Sequence, residues 1–476
     1  MEQLCCVILA AGLGKRLGGD YPKALANTRS GALIDLALES LAPLSPLKTV
    51  VVVGHKKELI EQHLATSAAS KGHAIETILQ PEQLGTGHAV RCALPALAGF
   101  TGTVILTYAD HPLFTHETLK HFVAYHCFKK STLTTISFRA PPPNGYGRIV
   151  RGDKNEILRI TEAKDCNPDE LLINEVNSGV YAVDSSFLKP AIETLQNNNS
   201  QKEYYLTDIV EKAVKEGQTV CAFPLGDPQE SAGVNTVADL AYVNKVLERR
   251  HIRTLELAGV LFDDQSSCSI DSTVVLKAGA RVGPQVQLRG RTVVETGAKL
   301  EGSSLIIDSV IGPDVTIKLG SRVEGAVIGK ESSVGPFANI RPGTSLGAGT
   351  RIGNFVEVKN AILRDGAKAS HLTYLGDCSI GEDSNIGAGT ITCNHDGYSK
   401  ATTTIGKGVF IGSNSCLVAP VTVGDGALVA AGSVITHDVP ADALALGRAK
   451  QEIKGGWAAT RRSRLEIEVR NRKPRD

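Results

Sequence analysis

Aromatic residues are scarce: Phe, Trp and Tyr make up 5% of the 476 residues, with one Trp, against 48 Gly. That balance points to many tight turns rather than ordinary aromatic-rich cores. Net charge is nearly absent as well. Lys and Arg number 51 and Asp and Glu 50, a formal +1, which gives no basic field for nucleic acid and no acidic solvating character. No apolar run approaches the ~18 residues of a transmembrane helix; the longest surrounds Cys5 to Ala11, so membrane insertion is not expected. The start lacks a basic segment and a small-residue cleavage site, so no secretion is signalled. The ten cysteines form no CxxC pair and read as reduced core thiols of a cytoplasmic protein.

At ~150 residues per domain the length suggests about three domains, and two periods divide the chain. Up to about residue 230, short aliphatic runs (Cys5 to Leu9, Val50 to Val53, Thr103 to Thr107, Leu133 to Phe138) alternate with longer amphipathic stretches. This predicts a wound α/β sheet. Between Thr236 and Leu257, Val237, Leu240, Val243 and Leu247 recur at helical steps, which predicts one helix connecting two domains.

After residue 265 the period becomes six. Ile311, Ile317 and Val323 are spaced so, as are Ile328, Val334, Ile340, Leu346, Ile352 and Val358, and later Ile405 to Ile435, with Gly often following the aliphatic residue. Neither a helix nor a simple sheet repeats at six, whereas a coil whose short strands each turn one aliphatic residue inward does; the expectation is a parallel β-helix. The polar stretch Thr392 to Thr404 breaks the repeat and is predicted to loop out. The end, from Lys454, is rich in Arg and reads as a solvated tail or lid.

Candidate chemistry begins after the first strand. Ala10-Ala11-Gly12-Leu13-Gly14-Lys15-Arg16-Leu17-Gly18-Gly19 offers small residues whose backbone N–H groups can approach a phosphate, with charge from Arg16. Gly12, Gly14 and Gly18 are spaced one residue too long for GxGxxG, and no GK[ST] follows. A plain structural turn stays equally open on this motif alone. Asp110, at the end of the run Thr103 to Thr107, is where open α/β sheets bind ligands, although Asp is also a turn former. His111, His116, His121 and His126 recur every five residues; on a helix successive rings then diverge by about 140° and do not share one zinc ion. His371 falls where the six-residue repeat passes through Ala369 and Leu375, so it is displayed on the coil. Its imidazole suits a general base.

Longer segments carry more. Leu9-Ala10-Ala11-Gly12 with Pro22-Lys23, Gln80 to Ala89 (QPEQLGTGHA), Gly145 to Ile149 (GYGRI), Glu203 to Asp208 (EYYLTD), Gly233-Val234-Asn235, Asn339 to Gly343 (NIRPG), Gly353 to Lys359 (GNFVEVK), His371 to Asp377 (HLTYLGD) and Asn385 to Asn394 (NIGAGTITCN) together resemble the bacterial bifunctional N-acetylglucosamine-1-phosphate uridyltransferases and glucosamine-1-phosphate acetyltransferases, over nearly the whole chain. The resemblance implies a Rossmann-like nucleotidyltransferase domain at 1–232, a linker helix at 233–257, a left-handed parallel β-helix acetyltransferase domain at 258–453 and a basic tail at 454–476. The implied activity is acetyl transfer from acetyl-CoA to glucosamine 1-phosphate, then uridylyl transfer from UTP to N-acetylglucosamine 1-phosphate with release of pyrophosphate, for cell-envelope synthesis. A homotrimer is implied too.

By the same resemblance, Leu9, Ala10, Ala11, Gly12, Gln80, Gly85, Thr86, Tyr108 and Ala109 meet the nucleotide, with Gln80, Gly85 and Thr86 on the uracil. Gly147, Glu162 and Asn177 hold the sugar, Arg16 and Lys23 supply positive charge, and Asp110 and Asn235 hold Mg²⁺. In the second half His371 is the base, Arg341 and Lys359 hold the acceptor phosphate, and Tyr374 and Asn385 its sugar. Ala388, Asn394, His395, Ser413, Ala431 and Arg448 map onto the acetyl-CoA site. Generic base-orienter logic adds Glu357 as the group that orients His371. Four departures stand out: Ala109 replaces the usual Gly, with a methyl expected to tighten or reshape the site if the chain passes close to the nucleotide; Ala163 replaces a His or Gln; His395 replaces a Tyr; and Gly447-Arg448-Ala449-Lys450 differs from the usual residues around the acetyl-CoA Arg. A monofunctional sugar-phosphate nucleotidylyltransferase with a β-helix used only for assembly predicts a scrambled His371 segment. A non-catalytic scaffold, such as a translation-factor exchange subunit, predicts loss of Lys23, Asp110 and Asn235.

Overall fold

The computed structural model describes residues 3–12, 14–17, 21–72 and 74–471. The chain divides into two compact units, residues 1–254 and 255–476.

In the first unit the sheet runs in the order Val220–Pro224, Leu133–Arg139, Glu175–Asp184, Thr103–Tyr108, Leu4–Ala10, Lys48–Val53, Ile75–Leu79, with Arg148–Arg151 and Ile157–Thr161 attached as a side pair. Glu175–Asp184 is antiparallel to both neighbours; the other main pairings are parallel. Leu4–Ala10 is buried at every position, as a central parallel strand covered on both faces must be. Its side chains alternate between two cores. Cys5, Val7 and Leu9 face one, with Val90 and Leu188, while Cys6, Ile8 and Ala10 face the other, with Ile34 and Phe122.

The helix expected from Thr236 is Val237–Leu257. Val243 and Val246 bury against Leu33, Leu113 and Val234, and Arg250 donates to the Leu113 carbonyl at 2.6 Å. Val237, placed by periodicity on the apolar face, is instead 60% exposed, because it opens the helix before the packed stripe begins.

The second unit is a parallel β-helix. Strands of two to four residues form three sheets of 11, 10 and 9 strands, every pairing parallel between one coil and the next. Each six-residue repeat turns one aliphatic side chain inward: Ile311, Ile317, Val323, Ile328, Val334, Ile340, Leu346, Ile352 and Val358 are all 2% exposed or less. The slip of five between Val323 and Ile328 belongs to a shorter coil, in which Ile311 pairs with Ile328, whereas in a full coil Val334 pairs with Ile352. The repeated Gly has a steric reason. A Cβ on Gly312 would lie 2.7 Å from the Ile328 carbonyl of the next coil.

The loop-out is narrower than the polar stretch suggested. Thr392 and Thr403 are fully buried inside the coil, so the excursion is residues 394–402, drawn together by a bridge between His395 and Lys400. Thr392 Oγ1 donates to the Gly376 carbonyl at 3.0 Å, and the Thr403 N–H donates to the Asp377 carbonyl at 3.2 Å while its Oγ1 makes no hydrogen bond among the described residues, so residue polarity mislocated the loop ends. Where the basic tail was expected, Trp457–Asn471 is an exposed helix, with Arg461 over the Trp457 ring; Arg472, Lys473, Arg475 and Asp476 lie outside the described residues. No described helix is long and apolar enough to cross a membrane.

Gly312→Val tests the coil contact. Backbone of the next coil blocks the new side chain, so a loss of about 1–3 kcal/mol is expected, read as a lower midpoint in denaturant for the second unit. An unchanged midpoint would show that the coils spread without cost.

Candidate functional site

The parallel register of the first unit brings together residues far apart in sequence. Leu9 pairs with Tyr108, and the Gln80 N–H donates to the Val53 carbonyl at 2.7 Å, so the strand ends Leu9, Gln80 and Tyr108 open on one edge. Leu9, Ala11, Gly12, Gln80, Gly85, Thr86, Tyr108 and Asp110 line a cleft there of about 270 Å³, joined by Gln83, Ala89 and Glu203. The Gln80 amide is braced from within, donating to the Gly85 carbonyl at 3.2 Å. Gly85 has no room for a side chain. A Cβ would meet the Tyr204 carbonyl at 2.7 Å, and φ there is 102°, in the region that favours glycine.

Lys23, Asp110 and Asn235 meet at the mouth. The Lys23 ammonium donates to Asp110 Oδ2 and, at 2.8 Å, to Asn235 Oδ1. Asp110 Oδ1 is buried and makes no hydrogen bond among the described residues; His111 Nε2 lies 3.8 Å from it. Burial holds the His111 imidazole below its usual range. Asn235 is fixed by its own N–H, which donates to Asp239 at the start of the helix at 2.9 Å. The result is two oxygen donors flanking one cation, the ligand type that a hard divalent ion prefers.

Arg16 is exposed on the turn Lys15–Leu17 and does not line the cleft. Leu13, Gly18 and Gly19 of the glycine-rich segment lie outside the described residues. Ala109 corrects an expectation: its methyl is 1% exposed and packs in the core with Ile8 and Ile105, because position 109 points to the opposite sheet face from Tyr108. The methyl therefore does not reshape the cleft. His116, His121 and His126 part company on their helix as expected: His126 is buried on Thr134 at 2.8 Å, while His116 and His121 are exposed.

Gly147, Glu162 and Asn177 also converge. The Asn177 N–H donates to the Gly147 carbonyl at 2.9 Å, and a Cβ on Gly147 would lie 3.7 Å from Glu162 Oε2. Thr207 Oγ1 donates to Glu162 Oε1 at 3.1 Å. The Asn177 side chain faces inward, accepting from Thr135 at 2.7 Å and donating to the Tyr181 hydroxyl at 2.7 Å. Glu162 and Asp208 share a second cavity, of about 390 Å³, with Asp165, Glu170 and Glu211. Burial raises the Glu162 carboxyl. Burial, then the charge of Glu162, raises Asp208 from 3.8 to about 6.

In the second unit one row of side chains runs along a coil edge. Arg351, Lys368, Asn385, Phe410 and Leu428 are successive register partners, and three residues beyond each stand Asn354, His371, Ala388, Ser413 and Ala431. Arg448 closes the row, donating to the Ala431 carbonyl at 2.8 Å. Around the corner, Arg341 and Lys359 each lie two residues beyond the partners Asn339 and Glu357, and Tyr374 is the next partner in that series.

His371 is exposed, with Nδ1 2.9 Å from Asn354 Oδ1. An amide oxygen only accepts, so in the neutral ring the proton lies on Nδ1 and the lone pair on Nε2. Asn354 thus takes the place expected of Glu357, whose Oε1 instead accepts from Arg341 Nη1 at 2.8 Å. Register decides this: Asn354 pairs directly with His371, while Glu357 pairs with Tyr374. The sequence held a signal, since Asn354 stands one coil before His371. Lys359 is held below its usual range by the adjacent Lys400, so two ammonium groups face one site. His395 is exposed in the loop-out.

A cleft at the carboxyl end of an open sheet, and an exposed imidazole on a parallel β-helix, frame a chain that joins a nucleotidyltransferase to a hexapeptide-repeat transferase. Residues 5–228 match the nucleotidyl transferase family, residues 325–360 the bacterial transferase hexapeptide family and residues 402–437 the hexapeptide repeat of succinyl-transferase. The chain is 42% identical to the bifunctional protein GlmU of Pelobacter propionicus, over 96% of this chain and 98% of the relative. It is 42% identical to that of Geotalea uraniireducens, over 96% and 99%, and 42% to that of Streptococcus agalactiae, over 95% and 97%. The chain belongs to the bifunctional GlmU family, and the β-helix is the left-handed coil of hexapeptide transferases. It is a uridyltransferase and a glucosamine-1-phosphate acetyltransferase in one polypeptide.

Asp208→Asn tests the acidic cavity. A carboxyl raised in the folded state stabilises below the unfolded value near 4 and loses that contribution as pH passes about 6. The amide should therefore raise the melting temperature relative to wild type above pH 6 and not below pH 4. A gain independent of pH would refute the assignment.

Proposed function

We propose that the two reactions of this family are divided between the units: uridylyl transfer from UTP to N-acetylglucosamine 1-phosphate at residues 1–232, and acetyl transfer from acetyl-CoA to glucosamine 1-phosphate at 258–453. The helix 233–257 is the link and 454–476 a basic appendage. Acetylation comes first and supplies the acceptor for the second step. The observation that carries the reading is the meeting of Lys23, Asp110 and Asn235 on the same sheet edge as the cleft of Gln80, Gly85 and Thr86.

In the first unit, Gln80, Gly85 and Thr86 read the uracil, and the backbone of Leu9, Ala10, Ala11, Gly12, Tyr108 and Ala109 walls the nucleotide. Gly147, Glu162 and Asn177 hold the sugar. Arg16 and Lys23 give cationic partners to phosphoryl oxygens, whose charge is the main obstacle to such a transfer. The unpartnered Asp110 Oδ1 and the cation-bridged Asn235 Oδ1 fit Mg²⁺. Bound there, it would offset charge on the phosphates. The attacking oxygen comes from the sugar phosphate and pyrophosphate leaves, so the protein has no covalent step to perform.

In the second unit, Arg341 and Lys359 hold the acceptor phosphate and Tyr374 and Asn385 the sugar. The free Nε2 of His371 takes the proton from the amine as it attacks the thioester carbonyl and returns it to the sulfur when the C–S bond breaks, so coenzyme A leaves as the thiol. Asn354 keeps the ring turned for this. Ala388, Asn394, His395, Ser413, Ala431 and Arg448 receive acetyl-CoA. Assembly as a homotrimer and a cytoplasmic location complete the proposal; the exposed site row suits sharing between copies, and the product serves cell-envelope synthesis.

Asp110→Ala should abolish Mg²⁺-dependent uridylyl transfer and leave acetylation within a factor of about two, since only one site loses an oxygen donor. Equal loss of both activities would place Asp110 in folding. His371→Ala should lower acetyl transfer by roughly 10²- to 10⁴-fold, the range for loss of a general base, with uridylyl transfer intact. Near-normal acetylation at pH 7 in that variant would remove His371 from the mechanism.

A further inference from the structure

Asp377 stands at a coil corner, with φ 47°, between Asn360 one coil before and Asn394 one coil after. Asn360 Nδ2 donates to its Oδ1 at 2.5 Å, and Asn394 Nδ2 donates to its Oδ2. The Asn360 bond outweighs the cost of partial burial and, with Asn394, Lys400 and Lys359 adding to it, holds the carboxyl below its usual range.

Both ends of the loop-out 394–402 close on this residue. Its side chain binds the first loop residue, Asn394, which is 8% exposed, and its main-chain carbonyl accepts from the N–H of Thr403, just past the last, at 3.2 Å. Inside that closure the Asn394 carbonyl accepts from the Ala401 N–H at 3.0 Å, and His395 bridges Lys400. A carboxylate only accepts hydrogen bonds, so it selects one of the two amide orientations of Asn394: the NH₂ turns to Asp377 and Oδ1 is left as a free acceptor.

We propose that Asp377 is a positioning residue for acetyl-CoA: it fixes the loop 394–402 and the orientation of the Asn394 amide without touching the cofactor. The proposal rests on the assignment of Asn394 to the acetyl-CoA site. Because an amide at 377 presents both a donor and an acceptor, Asp377→Asn loses the selection, while Asn still tolerates the left-handed backbone of the corner.

The test is steady-state acetylation by the full chain with wild type, Asp377→Asn, Asn394→Ala and the double variant, with uridylyl transfer and melting temperature as controls. Asp377→Asn should raise the KM for acetyl-CoA roughly tenfold, at the lower end for a bond to a charged group, with kcat within about twofold and uridylyl transfer unchanged. The double variant should match Asn394→Ala alone, because one residue acts through the other. A raised KM in Asn394→Ala with none in Asp377→Asn, or effects that multiply in the double variant, would overturn the positioning role. A melting temperature lowered in Asp377→Asn at unchanged KM would make the residue purely structural. An unchanged KM in Asn394→Ala would instead overturn the acetyl-CoA assignment itself, and the proposal with it.

Discussion

Parallel backbone pairing in register is the constraint on which both sites depend. A parallel ladder sets equivalent positions of successive segments side by side, so residues tens of positions apart share one edge. In the first unit this aligns Leu9 with Tyr108 and opens the strand ends into a cleft. In the second it stacks Asn354, His371, Ala388, Ser413 and Ala431 along the coil. A one-residue slip in either would turn the functional side chains inward and the aliphatic ones out.

The two units meet the burial requirement differently, and the difference shapes their chemistry. Helices cover both faces of the open sheet, and the cleft of Gln80, Gly85 and Thr86 opens where strands end and loops begin. The β-helix fills its own interior with one buried aliphatic side chain per repeat. Its chemistry is accordingly on the outside, at corners and on the loop-out, where His371, Lys359 and Lys400 are reached from solvent. Close approach of successive coils, seen at Gly312, is what brings one row of outward groups within hydrogen-bond distance of the next.

Charge is handled by pairing at each site. Lys23 bridges Asp110 and Asn235, Glu357 accepts from Arg341, and Asp377 lies beside two lysines. In the acidic cavity Glu170 pairs with Arg159 and Glu211 with Lys215, whereas burial holds Asp208 and Glu162 above their usual range. A buried, raised pair such as Glu162 and Asp208 fits a place where a polar ligand supplies further partners.

Local pattern by itself determined the two periods, the strands and the inward aliphatic row, because side-chain burial imposes periods of two and six that a sequence displays directly. Family-like motifs pointed to Lys23, Asp110, Asn235 and His371. Only tertiary structure decided who touches whom. Asn354 rather than Glu357 orients His371 because register, not chemical suitability, sets the neighbour; Ala109 turns its methyl into the core because strand alternation assigns its face; Thr392 stays inside the coil with its hydroxyl on a main-chain carbonyl, and Thr403 because the parallel ladder holds its backbone there. Residue type states what a side chain can do, and the packing of distant segments states what it meets.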